Sequence, residues 1–128
     1  MPISHQFDPS KKLLTITPAG AVSIKERAEL FSALVSDVAI PSNSLILIDP
    51  SDLASAPTVE EYEPIASLID VLRYRFAERV AVLCTTPDYF ASCRFIVAAT
   101  DRGTGRVRLF DNRLDADAWL FRPGTSLA

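Results

Sequence analysis

Two runs of the chain, Leu45-Ile46-Leu47-Ile48 and Val80-Ala81-Val82-Leu83-Cys84, are apolar without interruption. A strand with no polar alternation is covered on both faces, the habit of inner parallel strands with helices above and below. Residues 3–7 and 13–17 are shorter β-leaning runs joined by Asp8-Pro9-Ser10-Lys11, a turn sequence that predicts an antiparallel hairpin. Pro18 and Gly20 are expected to end its second strand. Residues 106–110, with Val107 and Leu109 alternating, read as a last strand after the Arg102-Gly103-Thr104-Gly105 turn.

Between these runs the period lengthens to that of helices. Ser23-Ile24-Lys25-Glu26 fits a capping box, and Ile24, Ala28, Phe31, Val35 and Val38 form a stripe to about Asp37. Tyr62, Ile65, Ile69, Leu72 and Phe76 mark a second helix. Pro64 moves its expected start to near Glu63, with Thr58-Val59-Glu60-Glu61 in a short turn before it. Thr86-Pro87 predicts a capped third helix running to about Thr100. Asp111 or Asn112 caps a last helix carrying Leu114, Ala118 and Trp119, the tryptophan expected to pack it onto the sheet.

The order is ββαβαβαβα. It predicts an α/β fold: a mixed, mostly parallel sheet of about five strands, the hairpin as its antiparallel edge, and helices packed on it. One domain is expected over residues 1–121, with a frayed tail at 122–128.

Charge narrows the partners. Thirteen Lys and Arg against sixteen Asp and Glu leave a net charge of −3, which disfavours nucleic acid. Cys84 and Cys93 are too few for a disulfide framework and suit a reducing interior. The apolar runs fall far short of the roughly 20 residues a spanning helix needs, and no signal-like segment opens the chain. A soluble cytoplasmic protein with no membrane span is the expectation.

Candidate chemistry gathers where open α/β sheets bind things, at the carboxyl ends of parallel strands. Three loops there supply Asp49, Ser51 and Asp52; Thr85, Thr86 and Asp88; and Asp111 and Asn112. Converging, they would form an acidic, hydroxyl-rich rim for a cation or a cationic partner, although Asp and Asn serve equally as caps and turn residues. Ser55 and Thr58 precede a helix start, where a phosphate would meet free N–H groups and an unmodified hydroxyl would simply cap. The third helix carries two apolar faces: Phe90, Cys93 and Val97, and then Phe95, Ile96 and Ala99. The second face needs cover from a neighbouring helix, a homodimer partner or a bound apolar molecule. No metal site, cofactor or catalytic constellation is expected: His5 is the single histidine, and no Gly-x-Ser-x-Gly elbow is present.

The element order, with Arg79-Val80-Ala81-Val82-Leu83, Val107-Arg108-Leu109-Phe110-Asp111 and Ala118-Trp119-Leu120, resembles SpoIIAA-like proteins of the STAS superfamily (sulfate transporter and anti-sigma factor antagonist). The resemblance implies a non-catalytic regulatory module that binds a protein partner, a regulatory kinase or anti-sigma-like protein. It also implies switching by phosphorylation in the loop after the central strand. That loop here spans residues 49–58, with Asp49, Ser51, Asp52, Ser55 and Thr58, but has no Asp-Ser-Ser-Gly word and no glycine. SpoIIAA-like proteins are similar in fold to CRAL-TRIO lipid-transfer domains. The alternative so implied is a carrier or sensor of a small apolar ligand, in a pocket formed by Tyr62, Phe90, Phe95 and Ile96.

Overall fold

In the hairpin, local polar chemistry makes the turn and apolar alternation sets the faces. A computed structural model describes residues 3–76 and 79–122. Strand β1 (Ile3–Asp8) pairs antiparallel with β2 (Leu13–Gly20), Asp8 opposite Leu13. The Asp8 carboxylate accepts from the Ser10 hydroxyl at 2.7 Å and from the Ser10 and Lys11 N–H groups at 3.0 and 3.3 Å. Those bonds, the hydroxyl's first, hold its pKa below the ordinary carboxylate value. Lys12 closes the turn in the left-handed region, at φ 52°.

Strand β2 runs past the expected stop, through Pro18 to Gly20. Pro18 lies beyond the last β2–β3 pair, Ile16 opposite Ile48, so its missing N–H removes no bond of the paired ladder. Strands β3 (Leu45–Ile48), β5 (Val80–Leu83) and β6 (Val107–Phe110) follow in parallel, giving the order β1-β2-β3-β5-β6. Both unbroken apolar runs are therefore inner neighbours, as their composition predicts. A sixth, two-residue strand, β4 (Asp52–Leu53), pairs with the end of β2. It arises inside the loop that the sequence leaves irregular.

Helices α1 (Ile24–Ser36), α2 (Val59–Phe76) and α3 (Phe90–Asp101) cover one face, with α2 touching both of the others. Their core joins Phe31, Leu34, Ile69, Leu72 and Phe76 to Leu14, Ile16, Ile46, Val80 and Val82. Helix α4 (Arg113–Leu120) packs on the opposite face, where Ala116, Trp119 and Leu120 meet Leu13, Leu47, Ala81 and Leu83.

Several helix details differ from expectation. Ser23 does cap α1 with Glu26 as a full capping box. Val38, however, is 95 % exposed, because α1 ends at Ser36 and Asp37 turns the chain in extended geometry. Helix α2 starts at Val59, with Pro64 inside it. The ring removes one hydrogen bond near the amino end, and the buried face from Ile65 to Phe76 keeps the helix intact beyond it. Thr86 makes no side-chain cap; a short 3-10 turn, Pro87–Tyr89, comes first and α3 begins at Phe90. Asn112 caps α4, accepting from the Asp115 N–H at 2.8 Å, but Leu114 points outward and is 79 % exposed. Of the frayed tail expected at 122–128, the Arg122 carbonyl accepts from Arg79 at 3.3 Å, and 123–128 lie outside the described residues.

Helices α1, α3 and α4 have no basic residue in their last turns. Arginines from α2 and the start of β5 supply one from outside. Arg75 donates to the carbonyls of Val35, Asp37 and Ile40, at the end of α1. Arg73 donates to the Thr100 carbonyl of α3 at 2.7 Å. Arg79 donates to the carbonyls of Trp119 and Leu120 at the end of α4, at 3.1 and 2.7 Å. Each guanidinium satisfies orphan carbonyls and faces the negative end of the helix dipole.

Asp101 closes the turn into β6. Its carboxylate accepts from the Val107 N–H at 3.0 Å and the Thr104 hydroxyl at 2.9 Å. Partial burial works to raise its pKa, but these bonds and the N–H groups of Gly105 and Arg106 outweigh it and hold the pKa below the ordinary value of 3.8. A carboxylate depressed in this way stabilises the fold above its unfolded pKa, and that contribution disappears as pH falls through the folded pKa. Asp101→Asn is therefore expected to unfold at lower urea than wild type near about pH 6, with the gap closing near about pH 3. An equal gap at both pH values would refute this role.

Candidate functional site

The carboxyl ends of β3 and β5 point the same way, so their exit loops share one edge of the sheet. The loop over 49–58 is held there from both sides. The Ala54 N–H donates to the Gly20 carbonyl at 2.9 Å, extending the β2–β4 contact. On the other side the Ser51 and Thr85 hydroxyls bond each other at 2.8 Å. The Tyr89 hydroxyl donates to the Leu53 carbonyl at 2.8 Å, and Ser92 donates to the Pro57 carbonyl at 3.4 Å. Tyr62 and Ser92 share a further hydroxyl contact at 3.0 Å.

The acidic residues at this edge do not converge on a point. Asp49 accepts from the Ser51 N–H at 3.0 Å, and Asp111 accepts from the Asn112 side chain at 2.9 Å, both local turn and cap duties. Asp52 and Asp88 are exposed. Thr86 contributes its carbonyl, which accepts from the Tyr89 N–H at 3.0 Å and from the Cys84 thiol at 3.3 Å. Among the described residues no group of three or more His, Cys, Asp and Glu side chains is placed to hold a metal ion. His5 is exposed on β1, with β2 and β3 between it and β5.

Thr58 immediately precedes α2, where its N–H donates to the Glu61 carboxylate at 2.9 Å. With Glu60 and Glu61 in the first turn, the positive end of this helix already faces carboxylates. Ser55 is exposed in the loop.

No protein-family model matches the chain, and no curated protein matches it.

The four residues expected around an apolar pocket are spread over different surfaces. Phe95 is 65 % exposed and stacks on Tyr62 with ring centroids 5.8 Å apart, so α2 covers part of the second face of α3. Phe90 is half-buried against the main core. Only Ile96 lines the apolar pocket of about 50 Å³ that lies under the 49–58 loop. There Ile16, Ile48 and Val82 from the sheet face Pro50, Leu53 and Pro57 from the loop.

Cys93 also lines this cavity, and both it and Cys84 are buried free thiols. Burial, reinforced by the Cys84 side chain, pushes the Cys93 thiol up to about 12, so it carries no appreciable thiolate at neutral pH. The pair behaves as small apolar core residues.

Three residues that matter at this edge escape a reading of the sequence. Tyr89 and Ser92 look like ordinary helix positions, and only the packed loop gives them acceptors. Arg27 lines the cavity, and its signal was present: it falls on the buried stripe of α1 with Phe31 and Leu34.

Proposed function

We propose that the protein is a non-catalytic, cytoplasmic binding module of the STAS type that docks a regulatory protein partner through the 49–58 loop and residues 85–89. The observation that carries this reading is the cross-linking of two strand-exit loops by Ser51–Thr85 and Tyr89–Leu53. Ordering flexible loops on association costs free energy, so loops already held by β4 and α3 suit recognition. Exposed Asp52, Asp88 and Asp111 along this edge favour a partner presenting basic side chains.

Affinity capture with purified wild type, Ser51→Arg and Asp88→Arg tests the reading, with Glu29→Arg on α1 as the control. One stoichiometric partner is expected with wild type and the control and lost with both loop variants. Equal recovery on all four proteins, or no stoichiometric partner, refutes it.

A further inference from the structure

Phe95 carries a large apolar ring on the outer side of α3, 65 % exposed. Its direction is nevertheless fixed: the ring stacks on Tyr62 at 5.8 Å, and the Tyr62 hydroxyl bonds that of Ser92 at 3.0 Å. An aromatic side chain already held in place loses little entropy when covered, which is the character of an interface anchor. Ala91 and Ala98, four residues before it and three after, are exposed with it. Apolar positions at that spacing form the seam of paired helices.

Charge selects the occupant. Two open hollows flank the ring. One is lined by Ala91, Arg94 and Ala98 of α3; the other, between α2 and α3, by Glu63, Ser67 and Ala99 among others. Arg94 and Glu63 are exposed, and neither side chain has a hydrogen bond or ion pair among the described residues. Asp70 and Arg102, farther along the second hollow, satisfy each other at 2.7 Å. The face therefore has an apolar centre with an unpaired cation on one flank and an unpaired anion on the other. The two charges stand level along the helices, because Tyr62, next to Glu63, lies against Ser92 and Phe95. An interface between identical chains must complement itself, and this pattern does so. A two-fold axis running along α3 sets the Glu63 flank of each copy against the Arg94 flank of the other. A two-fold axis lying across α3 in the plane of the face sets Arg94 against Arg94.

We propose that this face pairs with a second copy of the chain, Phe95 packing on Phe95 about a two-fold axis along α3, and Glu63 of each copy opposite Arg94 of the other. The surface is separate from the 49–58 loop and goes beyond the docking reading. Its size sets the strength. The 12 residues of α3 are roughly 18 Å long, and α2 lies about 10 Å to the side, so each copy covers roughly 400 Å². That is the small end of specific interfaces, which makes the dimer reversible and dependent on concentration.

Sedimentation velocity on the whole chain, from about 10 μM to about 1 mM, tests the proposal. Wild type should pass reversibly from monomer to dimer across this range. Phe95→Glu should remain monomeric. Arg94→Glu and Glu63→Arg should each weaken the dimer at least about tenfold, since symmetry turns two attractions into two repulsions. The double variant Glu63→Arg with Arg94→Glu should return to within about threefold of wild type. All four substitutions fall on exposed side chains, and far-UV circular dichroism melts establish that each variant folds. A wild-type chain that stays monomeric overturns the proposal and leaves the face to a different protein. A dimer that survives Phe95→Glu overturns it too, as does a double variant no stronger than its single parents. If Phe95→Glu fails to fold, the charge exchange still decides the matter. None of these variants touches residues 49–58 or 85–89, so loss of the dimer leaves the capture experiment on the loop unaffected.

Discussion

Trp119→Ala is expected to destabilise the fold by about 3–5 kcal/mol, the range for deleting a large buried aromatic side chain. The effect should reach the top of that range because, among the described residues, α4 is the helix that covers this face of the sheet. Trp119 is buried beside Leu47, Ala81 and Leu83, and its ring lies 5.6 Å from that of Phe110. Arg79 and Arg108 place their guanidinium carbons 5.9 Å from the ring centroid, adding cation–π attraction. Alanine at this position leaves a void that Ala81 and Ala116, the small residues in the same cluster, cannot fill. Since Trp119 is the only tryptophan, urea unfolding must be followed by far-UV circular dichroism. A loss below about 1 kcal/mol would mean that α4 does not hold this face.

Arg75→Ala should cost about 2–4 kcal/mol, counting three hydrogen bonds from a charged donor and discounting them for partial exposure. The carbonyls of Val35, Asp37 and Ile40 all accept from this one side chain, and its guanidinium carbon lies over the Phe76 ring, 4.6 Å from the centroid. Arg75→Lys separates charge from geometry. Lysine keeps the attraction to the helix end but lacks the planar fork, so it should recover less than half the loss. Urea midpoints for the two variants provide the measurement. Full recovery by lysine would show that charge alone matters.

These variants probe different levels of information. The inner position of Leu45–Ile48 and Val80–Leu83 is legible because uninterrupted apolar sequence needs cover on two faces, whatever supplies it. The caps at Ser23 and Asn112 are legible because a cap acts within three residues. Val38 and Leu114 mislead for a related reason. Each continues a periodic pattern, yet one follows the helix end and the other lies on an exposed face of α4. Pro64 misleads in the opposite direction: its local cost is real, and the packed face beyond it outweighs that cost.

The candidate site was legible as a place and not as a geometry. Strand order put the loops over 49–58 and 85–89 on one edge, but the Ser51–Thr85 contact spans 34 positions and Tyr89–Leu53 spans 36. No local rule foretells such pairs.

Taken alone, the amino-acid order determined the main strands and helices, the class of fold, the neighbouring inner strands and the caps at Ser23 and Asn112, because periodicity and capping are short-range physics. Tertiary structure decided which arginine serves which helix end, which carboxylates stay apart, and which hydroxyls tie the two exit loops together. Those outcomes depend on distances between residues remote in the chain, and such distances exist only once the layers have packed.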